Sequence, residues 1–113
     1  MKIINKTKNT VLAEDAVVAD TVFRRLKGLL GRKDFIKGEA LIIKPCNSIH
    51  TFFMCFPIDV LFVDKDNIVI KALSSVKPFR FTNIYFNASL TIELPAGALE
   101  SSSTQERDIL ILE

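Results

Sequence analysis

No tryptophan, one tyrosine, one histidine and only two cysteines occur in this chain. Two cysteines are too few for a disulfide framework and suit reduced thiols in a reducing compartment. On one continuous strand the spacing of Cys46 and Cys55 would hold them ~30 Å apart, so a disulfide between them would need a tight reversal. Four glycines and four prolines leave no interdomain linker and no low-complexity run. No stretch reaches the ~18 apolar residues of a membrane span, so no membrane association is expected. Met1 opens a polar, strand-like segment, not a basic end followed by an apolar run, so a secretory leader is not expected and the chain reads as soluble and cytoplasmic. Phosphate loops, G-x-G-x-x-G, G-x-S-x-G and paired C-x-x-C motifs are all missing.

What is present describes an ordinary globular chain. It has 113 residues, 49% hydrophobic and 25% charged, with a formal charge of +2. That size fits one domain over residues 1–113, with a core that needs no staples. The small net charge argues against a nucleic-acid binder. The basic residues are unevenly spread: Arg24, Arg25, Lys27, Arg32, Lys33 and Lys37 cluster around a single acid, Asp34. Such a cluster is either a solvated face or a surface for an anion or an acidic partner.

Periodicity predicts one helix, about residues 21–30. Asp20 is placed as its N-cap, and Val22, Phe23, Leu26, Leu29 and Leu30 fall on one arc. Gly31 sits where a left-handed residue would end the helix. Gly28 within it is costly, which implies either a close backbone crossing or a ligand. Around the helix, strands are predicted over 2–7, 10–18, 40–44, 48–54, 58–63, 67–73, 88–94 and 108–112. A hairpin turn is placed at Asp64–Asn67 and a short helical turn at 96–100. The expected fold class is therefore α+β, mainly β: a compact barrel-like or two-layer β domain with one amphipathic helix near the N-terminus.

Pro45–Asp59 concentrates the chemistry, since it holds the lone histidine, both cysteines and three of the nine phenylalanines. If 48–54 is a strand, His50 and Met54 share a face with Cys46, a set suited to a soft metal. The ~7 and ~14 Å steps of a flat strand keep these three from one ion, so no metal is expected. The same spacing argues against a Cys–His nucleophile pair, and both cysteines read as small buried hydrophobes. Asp59 lies in an apolar run and must accept hydrogen bonds there. It is expected to take them from a helix arginine or from main-chain amides, tying helix to sheet. His50 is expected to be partly buried and hydrogen-bonded to a carboxylate or main chain. Phe79, Phe81, Tyr85 and Phe86 interleave with Arg80 too sparsely to signal base stacking. They are expected to close over the core, or, if exposed, to mark a protein contact.

Four segments together resemble a known family: Gly28-Leu29-Leu30-Gly31-Arg32, Ile49-His50-Thr51-Phe52-Phe53-Met54, Pro57-Ile58-Asp59-Val60-Leu61-Phe62 and Leu94-Pro95-Ala96-Gly97. In order and spacing, over roughly residues 10–112, they are similar to the bacterial and archaeal family catalogued as domain of unknown function 192. The resemblance implies a small β-rich prokaryotic domain with one early helix, and no established activity. In the family resembled, many members carry Gly-Asp before the last strand, where this chain has Arg107-Asp108, and many carry Trp where it has Phe53.

The function read from these residues is a small non-catalytic binding or accessory domain. Its candidate ligand-binding residues are His50, Thr51, Asp59, Arg24, Arg25 and Arg32, converging beside the basic helix. The partner is a small anionic ligand or a protein, with no cofactor, in a monomer or weak dimer. Two alternatives stand beside it: a hydrolase-like enzyme using His50 and Asp59, and an interaction module using the aromatic segment 79–86.

Overall fold

Two runs, Ile58–Val63 (β5) and Leu90–Pro95 (β7), are apolar on both faces apart from Asp59, Thr91 and Glu93. Strands of that kind belong in the middle of a sheet covered on both sides. The computed structural model describes residues 1–29 and 31–113, and the side chains of Val22, Phe23 and Leu26 are also outside that description. In it β5 and β7 pair antiparallel within a five-stranded sheet. The other members are Asp15–Ala19 (β3), Glu39–Ile43 (β4) and Val69–Val76 (β6), giving the order β3-β4-β7-β5-β6. A three-stranded sheet is built from Ile3–Asn5 (β1), Thr10–Ala13 (β2) and Leu110–Leu112 (β8) in the order β2-β1-β8. Asp64 fixes the predicted turn between β5 and β6, its carboxylate accepting from Asp66 N at 2.9 Å and Ile68 N at 3.0 Å.

The fold is mainly β, in two open sheets; among the described residues no pairing closes a barrel. The segment predicted as one strand over 10–18 is two strands in different sheets. The chain corners at Glu14, where Glu14 N and Asp15 N both donate to the Gly38 carbonyl, at 3.0 and 2.9 Å. The predicted strand over 48–54 is instead loop, touching the 77–89 loop through one isolated bridge from His50 to Phe81.

The helical prediction also needs correction. Val22–Lys27 (α1) is only six residues long, and its N-cap is Thr21, not Asp20: the Thr21 hydroxyl accepts from Arg24 N at 3.1 Å. Gly28 ends the helix at φ 47°, a conformation that glycine takes without strain. Among the described residues an added Cβ there would meet nothing closer than 3.7 Å, and the backbone angle accounts for the glycine. Of the predicted apolar stripe, Val22, Phe23, Leu26 and Leu30 lie outside the described residues, and Leu29 is buried. A second short helix, Ala98–Ser102 (α2), stands near the C-terminus, and its Leu99 is part of the main core.

Alternation along β7 divides the interior in two. Leu90, Ile92 and Leu94 join Ile42, Leu61, Val63, Ile3, Leu12, Leu110 and Leu99 in the core between the sheets and under α2. On the opposite face, Val60 and Phe62 join Leu29, Met54 and Ile58, with the half-buried Leu41, Ile49, Phe56 and Tyr85 packed against them. That second face is covered by α1 and by the loops after β4 and β6, so a site can open there.

The two ends of the chain are joined by a polar cluster. Asn5 Nδ2 donates to Asp108 Oδ2 at 2.9 Å, and Lys8 Nζ lies 2.9 Å from the same carboxylate. Burial alone would push the Asp108 carboxyl up, but the bonds from Asn5, Lys8 and Gln105 N outweigh it and hold it below the usual range.

A candidate binding cleft between helix α1 and the 45–54 loop

Glu93 sits at the midpoint of β7, paired in register with Leu41 on one side and Val60 on the other. Alternation turns its side chain to the α1 face, where it is only 4% exposed. There it meets a cleft of about 320 Å³. The end of α1 supplies Arg25, Lys27, Gly28 and Leu29, and the loop supplies Pro45 to His50 and Met54. The loop is held over the strand by two bonds at the Cys46 main chain: Cys46 N donates to Ser89 O at 3.3 Å, and the Thr91 hydroxyl donates to Cys46 O at 3.2 Å.

Among the described residues no hydrogen-bond donor reaches the Glu93 carboxyl, and no cation offsets its burial. Desolvation pushes it up to about 8. At neutral pH its carboxyl is therefore mostly protonated, and it lines the cleft. Arg25 and Lys27 place positive charge on the cleft wall, and Arg25 Nη1 also donates to Asp20 O at 3.2 Å. Leu29, Ile43, Ile49 and Met54 make the remaining wall apolar.

The residues expected to converge are only partly brought together. His50 and Arg25 line this cleft; Asp59 does not. Asp59 is 1% exposed, and its carboxylate accepts from Ser75 N at 2.9 Å, Gly97 N at 3.1 Å and Leu99 N at 2.9 Å. Its partners are main-chain amides, and the helix it ties to the sheet is α2. His50 is exposed, and its Nδ1 accepts from Phe52 N at 3.3 Å. Thr51 is buried, its hydroxyl donating to Lys77 O at 2.6 Å and accepting from Arg80 N at 3.0 Å. Arg32 is taken up by Glu39, with both carboxylate oxygens 3.1 Å from its Nη2. Glu39 is held below its usual range first by the Ile36 amide and then by Arg32, against the opposing effect of burial. Arg24 is exposed on α1 and is not among the cleft residues.

Cys46, His50 and Met54 do share the cleft, but among the described residues no three His, Cys, Asp or Glu side chains stand close enough to hold a metal ion. Both cysteines are free thiols. Neither is the small buried hydrophobe expected: Cys46 is half-buried, its thiol donating to Ser48 O at 3.2 Å, and Cys55 is exposed. The residue missed from sequence is Glu93. Its signal was a carboxylate in the middle of an apolar strand, the same signal that made Asp59 stand out.

The family profile described as "Uncharacterized ACR", domain of unknown function 192, matches residues 3–111. The chain belongs to this family. It is 35% identical over 103 residues to a UPF0127 protein of Thermococcus sibiricus, covering 87% of this chain and 66% of that one. The chain thus spans about two-thirds of that relative's length. A UPF0127 protein of Pyrococcus horikoshii is 33% identical over 104 residues, covering 88% of each chain. Among solved structures, a protein of unknown function from Novosphingobium aromaticivorans superposes with a TM-score of 0.86. At 18% identity, over 99% of this chain and 84% of that one, it shares the fold. What that structure shares with this chain is the two-sheet β-rich fold. Among the described residues no helix is long and apolar enough to cross a membrane.

Proposed function

We propose that this domain binds a small anionic ligand, through a carboxylate or phosphate group, in the cleft between α1 and the 45–54 loop, and does so without catalysing a reaction. The observation that carries this reading is Glu93: a buried carboxyl in a central strand, with no donor to it among the described residues, lining a cleft that Arg25 and Lys27 also line. A protonated carboxyl donates a hydrogen bond to an anionic oxygen. Arg25 and Lys27 supply the compensating charge, with the exposed His50 beside them. The apolar wall excludes water from the bond between ligand and acid, which strengthens it.

A cation would fit less well. It would meet Arg25 and Lys27 on entry and find a neutral floor below pH 8. Hydrolysis by His50 with Asp59 has little support, because Asp59 is sealed among backbone amides and away from the cleft walls.

The test is a thermal-shift screen of acetate, 2-oxo acids, inorganic phosphate and nucleotides at pH 6.5, followed by calorimetric titration of any compound that raises the melting temperature. At least one should bind, and Arg25→Ala should weaken it by about tenfold, the scale of one charge-assisted bond. If no anion in the panel shifts the melting temperature, the binding reading is wrong.

A further inference from the structure

A second face, which adjoins the cleft at His50, presents aromatic rings to solvent. Phe53, Phe79 and Phe81 are 75%, 62% and 76% exposed. They stand together on the half-buried Phe52, whose ring centre lies 4.6 Å from Phe81 and 6.2 Å from Phe79; Phe53 and Phe79 are 6.4 Å apart. Large apolar side chains in contact with one another and with water mark a contact surface.

The rings are fixed in place. The buried Thr51 stitches the 47–54 loop to the 77–85 loop. Thr51 N donates to Arg80 O at 2.9 Å, Phe79 N to Thr51 O at 3.2 Å and Thr82 N to Ile49 O at 3.0 Å. Phe53 and Phe79 hold φ of 64° and 63°, left-handed angles that are unfavourable for phenylalanine. The fold thus spends backbone strain to keep two rings in water.

Charge on these loops is of one sign. Residues 40–58 and 67–92 contain no aspartate or glutamate. Exposed Lys77 and Arg80 alternate with the rings, and His50 lies beside them. A surface that offers phenylalanine for burial and cations for neutralisation complements the headgroup region of an anionic bilayer, which is negative outside and apolar within. A lipid interface imposes no fixed shape, which suits rings standing on two loop tips. Stacked nucleic-acid bases suit it less: Phe52 with Phe81 and Phe53 with Phe79 meet edge to face, at 79° and 75°, so they offer no common flat platform.

We infer that the Phe53–Phe79–Phe81 face docks on anionic lipid surfaces, the rings entering the interface while Lys77 and Arg80 face the headgroups. This revises the expectation of no membrane association, which rested on the lack of a spanning segment.

The full chain should co-sediment with vesicles of equimolar phosphatidylcholine and phosphatidylglycerol, and about tenfold less with phosphatidylcholine alone. Raised salt should release it. Phe53→Ser with Phe81→Ser should abolish sedimentation while leaving the melting temperature close to the parent's, because both rings are exposed. Lys77→Gln with Arg80→Gln should reduce binding to the level seen with neutral vesicles. Since the chain lacks tryptophan, Phe81→Trp installs a single tryptophan, whose emission, excited apart from that of Tyr85, should shift to the blue on adding anionic vesicles. The inference is overturned if neither vesicle retains the chain or if the double phenylalanine variant sediments like the parent. Retention by single-stranded oligonucleotide, or self-association through this face, without vesicle binding would overturn it equally. Loss of vesicle binding would leave the anion cleft untouched, because no residue altered here lines it.

Discussion

A single carboxyl dominates the chemistry at the residue scale. Glu93 is raised from 4.5 to about 8 by burial alone. The folded protein keeps a proton there that the unfolded chain has released above pH 4.5. The associated stability is fully present below 4.5 and is lost as pH rises through about 8, a difference on the order of 5 kcal/mol. Glu93→Gln removes the titrating proton and keeps the shape. Denaturant melts of parent and variant from pH 5 to 9 should therefore diverge, with the variant flatter and more stable at the alkaline end. Parallel profiles would mean that Glu93 does not hold its proton in the fold. Arg107 offers a second test. It stands where the resemblance places glycine, and it adopts φ 76°, so the turn is built as glycine would build it, with strain. Arg107→Gly should raise stability by up to about 1 kcal/mol, less what glycine adds to the entropy of the unfolded chain. A lower denaturant midpoint would show that the arginine side chain contributes more than its backbone angle costs.

At the scale of elements, short helices depend on their surroundings. α2 has five residues and a glycine N-cap with no side chain to offer. Its first amides are satisfied instead by Asp59, reaching across from β5 to Gly97 N and Leu99 N. The same carboxylate takes Ser75 N from β6, so one side chain locks two strands and a helix. Asp59→Ala should cost ~3 kcal/mol, because three amides, that of Leu99 buried and those of Ser75 and Gly97 partly so, lose their acceptor together. A loss below ~1 kcal/mol, read from denaturant melts, would mean that water replaces the carboxylate at little cost. The elements with strong periodic signals were readable in the sequence. β4, β5 and β7 lie within a residue or two of their predicted runs, since uninterrupted apolar stretches leave little choice. The 10–18 strand was misread because Glu14 marks a corner between sheets, a tertiary event with only a broken alternation as its trace. The 48–54 strand was misread because apolar, aromatic residues imitate β pattern even when loop-to-loop hydrogen bonds, centred on Thr51, decide their backbone.

For the whole molecule, β7 at the centre of the larger sheet divides one hydrophobic face from the other. One side is sealed between the sheets. The other is roofed by a helix of six residues and two loops, and it is there that a cleft remains. This arrangement explains why, of the six residues expected to converge, only His50 and Arg25 meet at the cleft. The Pro45–Asp59 segment does lie against the cleft, with His50 and Arg25 on its walls. Asp59 and Glu93 look alike in sequence, each an acid within an apolar strand. Which one is capped by amides and which faces a cavity depends on strand order and on the position of α2, neither of which a linear pattern contains. Thr51 and Arg32 have the chemistry of binding residues, and the fold employs it internally, in loop stitching and in an ion pair.

The most direct test of the cleft is calorimetric titration of an anion identified at pH 6.5, repeated at pH 9 on parent and Glu93→Gln. Ionised Glu93 repels an anion; the amide in its place still donates a hydrogen bond. The parent should lose affinity by about tenfold for each pH unit above 8, while the variant holds its affinity across the range. Equal pH dependence in the two proteins, or binding unaffected by alkaline pH in the parent, would contradict the assignment of Glu93 as the protonated floor of the site.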